Sequence, residues 1–194
     1  SCSENLKNLV LKLEPNSEIK IINPTRDDET KNALDNIKEY NGIIFTGGAM
    51  RLNDMTDEIK KHINFASNCF KHNKKILAIC WGLQVCSTAA RGKVAPGKKG
   101  AHIGIAFDVE INQEGQKNLI YKNKQQTFTT PAYNFDEVFE IPEGATLLSS
   151  DKVNRVMGLY FKLGNSEIWG LQYHPEIPYD YMIKLIKHRS KNLI

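Results

Sequence analysis

No apolar run in this 194-residue chain approaches the ~20 residues a membrane-spanning helix requires. The first residues, Ser1-Cys2-Ser3-Glu4, hold no apolar core of a secretory leader, so we expect neither a membrane segment nor export. Cysteine is sparse, and Cys2, Cys69, Cys80 and Cys86 have no zinc-type spacing; a reducing compartment keeps such residues as thiols. Arginine is scarce, and the net charge of +4 rests mainly on lysine. Its clusters (Lys60-Lys61, Lys74-Lys75, Lys98-Lys99, Lys184 to Lys191) are scattered among acids without aromatic platforms, which argues against nucleic-acid binding. Histidine pairs with i, i+4 ligand spacing are lacking, so no catalytic metal and no cofactor are expected. His62 and His72 stand ten residues apart, and His102 reads as an exposed loop residue.

What is present fits one domain over residues 1–194 in the cytoplasm, with 41% hydrophobic residues to fill a core. Helical patterns at 3–14, 29–40, 54–72 and 82–91 alternate with strand patterns at Glu18–Ile22, 42–46 and 75–79. This alternation predicts an α/β fold: an open, mixed, mostly parallel sheet covered by helices on both faces. Beyond Gly100 short extended runs follow at 104–111, 125–129, 137–141, 146–149, 155–161 and 167–173, so the later half is more antiparallel. A last helix is expected over about Tyr179–Asn192.

Within this frame, Lys75 to Ile79 is an apolar strand that ends at Cys80, and Trp81-Gly82-Leu83-Gln84 opens a helix. Gly82 is expected to let that helix pack close to the strand it has just left. A nucleophile on such an elbow is pushed into a cleft, beside a helix N-terminus that favours thiolate and a backbone N–H that can receive an oxyanion. By itself the element reads equally well as a buried cysteine at a strand end. A second element favours chemistry. The run Glu167 to Tyr173 leads into His174-Pro175-Glu176, where residues two apart on extended chain share a side. A thiol nucleophile needs an imidazole base, and the base benefits from a carboxylate that fixes its tautomer. Third, Gly42 to Phe45 runs into Thr46-Gly47-Gly48, where backbone N–H groups lie open to a ligand.

Taken in this order, the pieces resemble the class I glutamine amidotransferase family, whose pattern is a Gly-Gly oxyanion strand, a G-x-C-x-G-x-Q elbow and a late H-P-E. The matching residues are Gly47-Gly48, Ala78-Ile79-Cys80-Trp81-Gly82-Leu83-Gln84 and His174-Pro175-Glu176. The resemblance implies the family's flavodoxin-like fold and a Cys-His-Glu triad of Cys80, His174 and Glu176. It also implies an oxyanion hole at Gly48 and Trp81, with Gly47, Gln84, Asn134 and Phe135 lining the substrate. The implied reaction is hydrolysis of glutamine's side-chain amide through a cysteinyl thioester, with a synthetase partner as one destination for the ammonia. The alternatives are a γ-glutamyl peptidase or hydrolase on the same scaffold, and an inert binding or regulatory module.

Three departures stand out. Ala78 replaces the elbow's first glycine, and a small residue there changes little. Tyr133-Asn134-Phe135-Asp136 stands where the family often has Ser-His-x-Asp, which bears on glutamine specificity. The family's opening hydrophobic strand is absent, and we expect a segment carrying it to be missing ahead of Ser1. One decoy is set aside: Gly92 to Lys98 matches a phosphate loop, but Lys99 replaces its Ser/Thr and Pro96 removes an N–H. We expect a mobile basic loop there.

Overall fold

The computed structural model describes residues 2–189. Its strands are β1 (Gly42–Phe45), β2 (Lys75–Ile79), β3 (Lys93–Pro96), β4 (His102–Ile111), β5 (Thr127–Asn134), β6 (Asp136–Glu140), β7 (Thr146–Ser150), β8 (Gly158–Leu163) and β9 (Ser166–Leu171). The helices are α1 (Cys2–Leu13), α2 (Asp27–Asp35), α3 (Asp57–Cys69), α4 (Trp81–Ala89), α5 (Gln113–Lys117) and α6 (Tyr179–Arg189). Seven strands form one sheet in the order β1-β2-β9-β8-β7-β4-β5, and β3 pairs with β6 in a separate two-stranded ladder. The sheet is mixed: β1, β2 and β9 run parallel, while the remaining neighbours pair antiparallel.

Strand β2 shows how the sequence sets the layers. Alternate residues of a strand face opposite sides, and Ile76 and Ala78 join one core with Ile59, Phe65, Leu83 and Val85 of α3 and α4. Ile79 faces the other way, against Leu6 of α1. Full burial of side chains such as Ile59, Ile76, Leu83 and Ile168 stabilises the fold by roughly 1.5–3 kcal/mol each. Strand β2 is therefore clamped on both faces, and its C-terminal end is a rigid place to mount a side chain. No described helix is long and apolar enough to cross a membrane.

Several local expectations are corrected. Residues 18–22 form no strand, because they enter no backbone ladder and an extended segment without one is not a strand. The stretch expected to be a mobile basic loop contains β3, whose antiparallel pairing with β6 fixes it. Strand β5 runs through Pro131 to Asn134 instead of ending at Thr129. It lies at the sheet edge, where proline's missing N–H is tolerated. The expected final helix runs past the described residues, which follow it to Arg189.

Candidate active site

Cys80 sits between β2 and α4 with φ 52° and ψ −109°. A side chain held in so sparsely populated a backbone region costs on the order of 1–3 kcal/mol. Neighbours enforce the strain. The Cys80 N–H donates to the Leu171 carbonyl of β9 at 2.7 Å, and its carbonyl accepts from Gln84 N at 3.2 Å. Gly82 makes the elbow possible, but not against the expected strand. A Cβ on Gly82 would overlap the Phe45 carbonyl, so the close approach is to the neighbouring strand β1 and not to the strand that α4 has just left.

His174 reaches the thiol from the far side of the sheet's C-terminal edge. Strand β9 stops at Leu171, and the Ile177 N–H donates to the His174 carbonyl at 3.3 Å. A turn, rather than strand alternation, thus folds Glu176 back onto the ring, with His174 Nδ1 2.7 Å from Glu176 Oε1. The His174 N–H donates to the Pro131 carbonyl of β5 at 2.9 Å, which fixes the backbone of the turn. With Nδ1 engaged by the carboxylate, Nε2 is the nitrogen left for the sulfur. Burial opposes charge on the imidazole, but hydrogen bonding and attraction from Cys80 and Glu176 outweigh it, and the His174 pKa is raised well above its ordinary value. The other Glu176 oxygen, Oε2, is buried without a hydrogen-bond partner. The Cys80 sulfur lies 3.4 Å from the Tyr133 carbonyl.

These groups open on a cleft of about 240 Å³, whose lining includes Cys80, His174, Gly48, Trp81, Tyr133 and Phe135. Gly47 and Gly48 bring β1's end against the pair. A Cβ on Gly47 would stand 2.9 Å from His174 Cε1, and one on Gly48 would stand 3.1 Å from the Trp81 indole. Trp81 is the first residue of α4, where a helix leaves its leading N–H groups without internal partners. The Trp81 indole packs edge-on against His62 at 4.8 Å, which holds the start of the helix in place.

Gln84 and Asn134 stand at the cleft wall, but their amide N–H groups are engaged by the protein. Gln84 Nε2 donates to the Asp136 carbonyl at 2.8 Å and lies 3.3 Å from Gln172 Oε1. Asn134 Nδ2 donates to the Asp136 carbonyl at 3.1 Å, and the side-chain amides of Asn134 and Asn154 bond reciprocally at 3.3 and 3.1 Å. Both residues therefore brace the 133–136 segment. Phe135 is half exposed at the rim.

Sequence reasoning missed three participants. Arg51 and Asp136 form a fork across the cleft wall, 85 residues apart in the chain and without a shared pattern. Cys2 and Asn5 bring the start of α1 to the same cleft; the amphipathic pattern announced the helix but not where it docks. His102, expected on an exposed loop, is buried on β4, 3.3 Å from the Asn154 amide and 3.4 Å from Asp151 Oδ2. The described residues contain no cluster of three or more His, Cys, Asp or Glu suited to a metal.

A strained thiol on a strand-to-helix elbow, an imidazole–carboxylate pair and a glycine turn beside them define a class of thiol-dependent acyl-transfer sites. Comparison with known proteins gives the family. The class-I glutamine amidotransferase model matches residues 1–181, and the chain belongs to that family. It is 28% identical over 141 residues to a γ-glutamyl-L-1-hydroxyisopropylamide hydrolase from a Pseudomonas species, covering 71% of this chain and 48% of that protein. It thus spans about half the length of that relative. It is 29% identical over 157 residues to the glutamine-hydrolysing component of the GMP synthase of Methanococcus vannielii, covering 81% of this chain and 73% of the relative. A solved glutamine amidotransferase from Thermotoga maritima superposes with a TM-score of 0.70 at 18% identity, over 97% of this chain and 76% of that one, which establishes the shared fold.

Proposed function

We propose that this chain hydrolyses the side-chain amide of glutamine to glutamate and ammonia through a thioester on Cys80. The observation that carries this reading is the buried 2.7 Å contact between His174 and Glu176, set beside the elbow thiol. Cys80 sulfur, having given its proton to His174, attacks the amide carbonyl carbon. The resulting oxyanion is received by the backbone N–H groups of Gly48 and Trp81. His174 then passes its proton to the departing nitrogen, the carbon–nitrogen bond breaks, and ammonia leaves a γ-glutamyl thioester. Water enters, His174 removes its proton, and the carbon–sulfur bond breaks to release glutamate and restore the thiol. Glu176 keeps the ring's tautomer and stabilises its cation through both half-reactions. No step calls on a metal or cofactor.

A second reading keeps the thioester and changes the leaving group: a γ-glutamyl hydrolase that releases a larger amine. It is favoured by the Tyr133–Asp136 segment, where the Asn134 amide is bound to Asn154 and to the Asp136 carbonyl. The GMP synthase relative points to the other branch, in which a partner synthetase takes up the ammonia. Either branch fits a cytoplasmic setting that keeps the thiol reduced. Incubation with free glutamine and a panel of γ-glutamyl amides, with glutamate and the released amine measured separately, distinguishes them. Highest kcat/KM on free glutamine supports the first reading. A clear preference for larger leaving groups supports the second, and no glutamate from any substrate defeats both.

A further inference from the structure

The triad occupies one end of the cleft, and a charged fork occupies another part of its wall. Arg51 Nε donates to Asp136 Oδ2 at 2.7 Å, and Nη2 donates to Oδ1 at 2.5 Å. Both oxygens of Asp136 are taken, and its side chain is only 3% exposed, whereas that of Arg51 is 44% exposed. A guanidinium carries five N–H donors in a rigid plane. The side-on fork to Asp136 uses two of them and leaves three on the end edge, two at Nη1 and one at Nη2. The plane is steadied further by Phe135, whose ring centroid lies 5.4 Å from the guanidinium carbon. Arg51, Phe135 and Asp136 line the same cleft as Cys80 and His174, and among the described lining residues Arg51 is the permanently charged cation.

We propose that the free edge of Arg51 binds the α-carboxylate of the substrate, with Asp136 as the positioning residue that holds the guanidinium flat and aimed. Planar, bidentate capture of a carboxylate is the recognition that an arginine fork performs best. The proposal rests on the γ-glutamyl reading above and narrows it. Substrates must keep a free α-carboxylate on the glutamyl group, so peptides joined through that carboxylate, or its esters and amides, are rejected. Asp136 itself is unsuited to hold the substrate's ammonium group, because it is buried and both its oxygens already accept from Arg51. This division explains an ion pair in which one partner is sealed and the other is left half open. A purely structural pair needs no such asymmetry.

The test compares two alkylating agents on Cys80, read by mass spectrometry. One is the diazoketone analogue of L-glutamine, which carries the α-amino acid group; the other is iodoacetamide, which lacks it. Losing a hydrogen-bonded contact to a charged group typically weakens recognition by roughly 10- to 100-fold. Arg51→Gln should slow labelling by the diazoketone to that extent and leave the iodoacetamide rate within about a factor of two. Arg51→Lys keeps the charge but not the fork, so it should fall between; it also serves as the test should Arg51→Gln fail to fold. In turnover, Arg51→Lys should raise KM for L-glutamine while the decarboxy analogue of glutamine is hydrolysed equally by wild type and variant. Equal slowing with both reagents, or an unchanged diazoketone rate in folded variants, overturns the role of Arg51 alone. Wild-type Cys80 that iodoacetamide labels and the diazoketone does not overturns the γ-glutamyl reading, and the Arg51 assignment with it.

Discussion

His174 Nδ1 and Glu176 Oε1 stand 2.7 Å apart in a turn that buries both side chains. A carboxylate so placed orients the ring but touches no substrate atom, so the two residues should differ in their variants. His174→Ala removes both the base and the proton donor, and a positioned acid–base group is worth about 100- to 10,000-fold. Its activity should fall to background, while Glu176→Gln should keep a measurable fraction. Rates and unfolding midpoints measured together separate chemistry from folding. A folded His174→Ala protein with full activity would show that the base lies elsewhere.

The same pair gives stability a pH dependence with a definite sign. The His174 pKa is raised above its ordinary 6.5 in the folded protein, despite burial, by Cys80 and Glu176. Between the unfolded and folded values the native state holds the extra proton, so this contribution is full below about 6.5 and is lost as pH rises through the folded value. Urea unfolding of wild type and His174→Asn between about pH 6 and pH 9 should show their difference in stability shrinking with rising pH. A gap that widens with pH contradicts the assignment.

Much of this centre was legible because its signals are local. The elbow is a strand pattern that ends at Cys80 followed at once by a helix pattern, and both elements form with β2 at Lys75–Ile79 and α4 from Trp81. His-Pro-Glu put base and carboxylate two residues apart, although a turn and not strand alternation brings them together. The Arg51–Asp136 fork left no trace, because its partners are joined only through the fold. Pro131 misled for a related reason: proline argues against a strand unless the strand lies at a sheet edge, and edge position is a property of the assembled sheet. Residues 18–22 show the converse, a strand pattern that enters no ladder.

The four thiols should separate sharply in reactivity. Burial pushes the Cys69 pKa up to about 12 and raises that of Cys86 well above its ordinary value, which leaves both poor nucleophiles. Cys2 lies at the cleft, but burial raises its pKa too, only partly offset by attraction to His174. A limiting amount of the glutamine-directed diazoketone should therefore modify Cys80 first. Cys80→Ala and Cys80→Ser should abolish turnover, while Cys69→Ala and Cys86→Ala keep it. Peptide mapping that finds the first label on Cys2 or Cys86 would refute this order.

Behind the cleft a second histidine should respond to pH in the opposite direction. His102 Nδ1 has two competing neighbours, the Asn154 amide at 3.3 Å and Asp151 Oδ2 at 3.4 Å. A neutral ring accepts from Asn154, which also pairs with Asn134 at the cleft wall; a protonated ring turns its donor toward Asp151. Burial lowers the His102 pKa below 6.5, and attraction to Asp151 and a backbone bond from Ile105 only partly oppose it. The unfolded chain therefore takes up a proton before the folded one does, and stability falls as pH drops below about 6.5. His102→Asn should reduce that acid-side loss. Asn154→Ala leaves the buried Asn134 oxygen without its donor, a loss of about 1–3 kcal/mol, and should raise KM more than it lowers kcat. Unfolding midpoints between about pH 5 and pH 7 and steady-state kinetics at neutral pH check both outcomes. An acid-side slope that is the same in wild type and His102→Asn would remove His102 from the account.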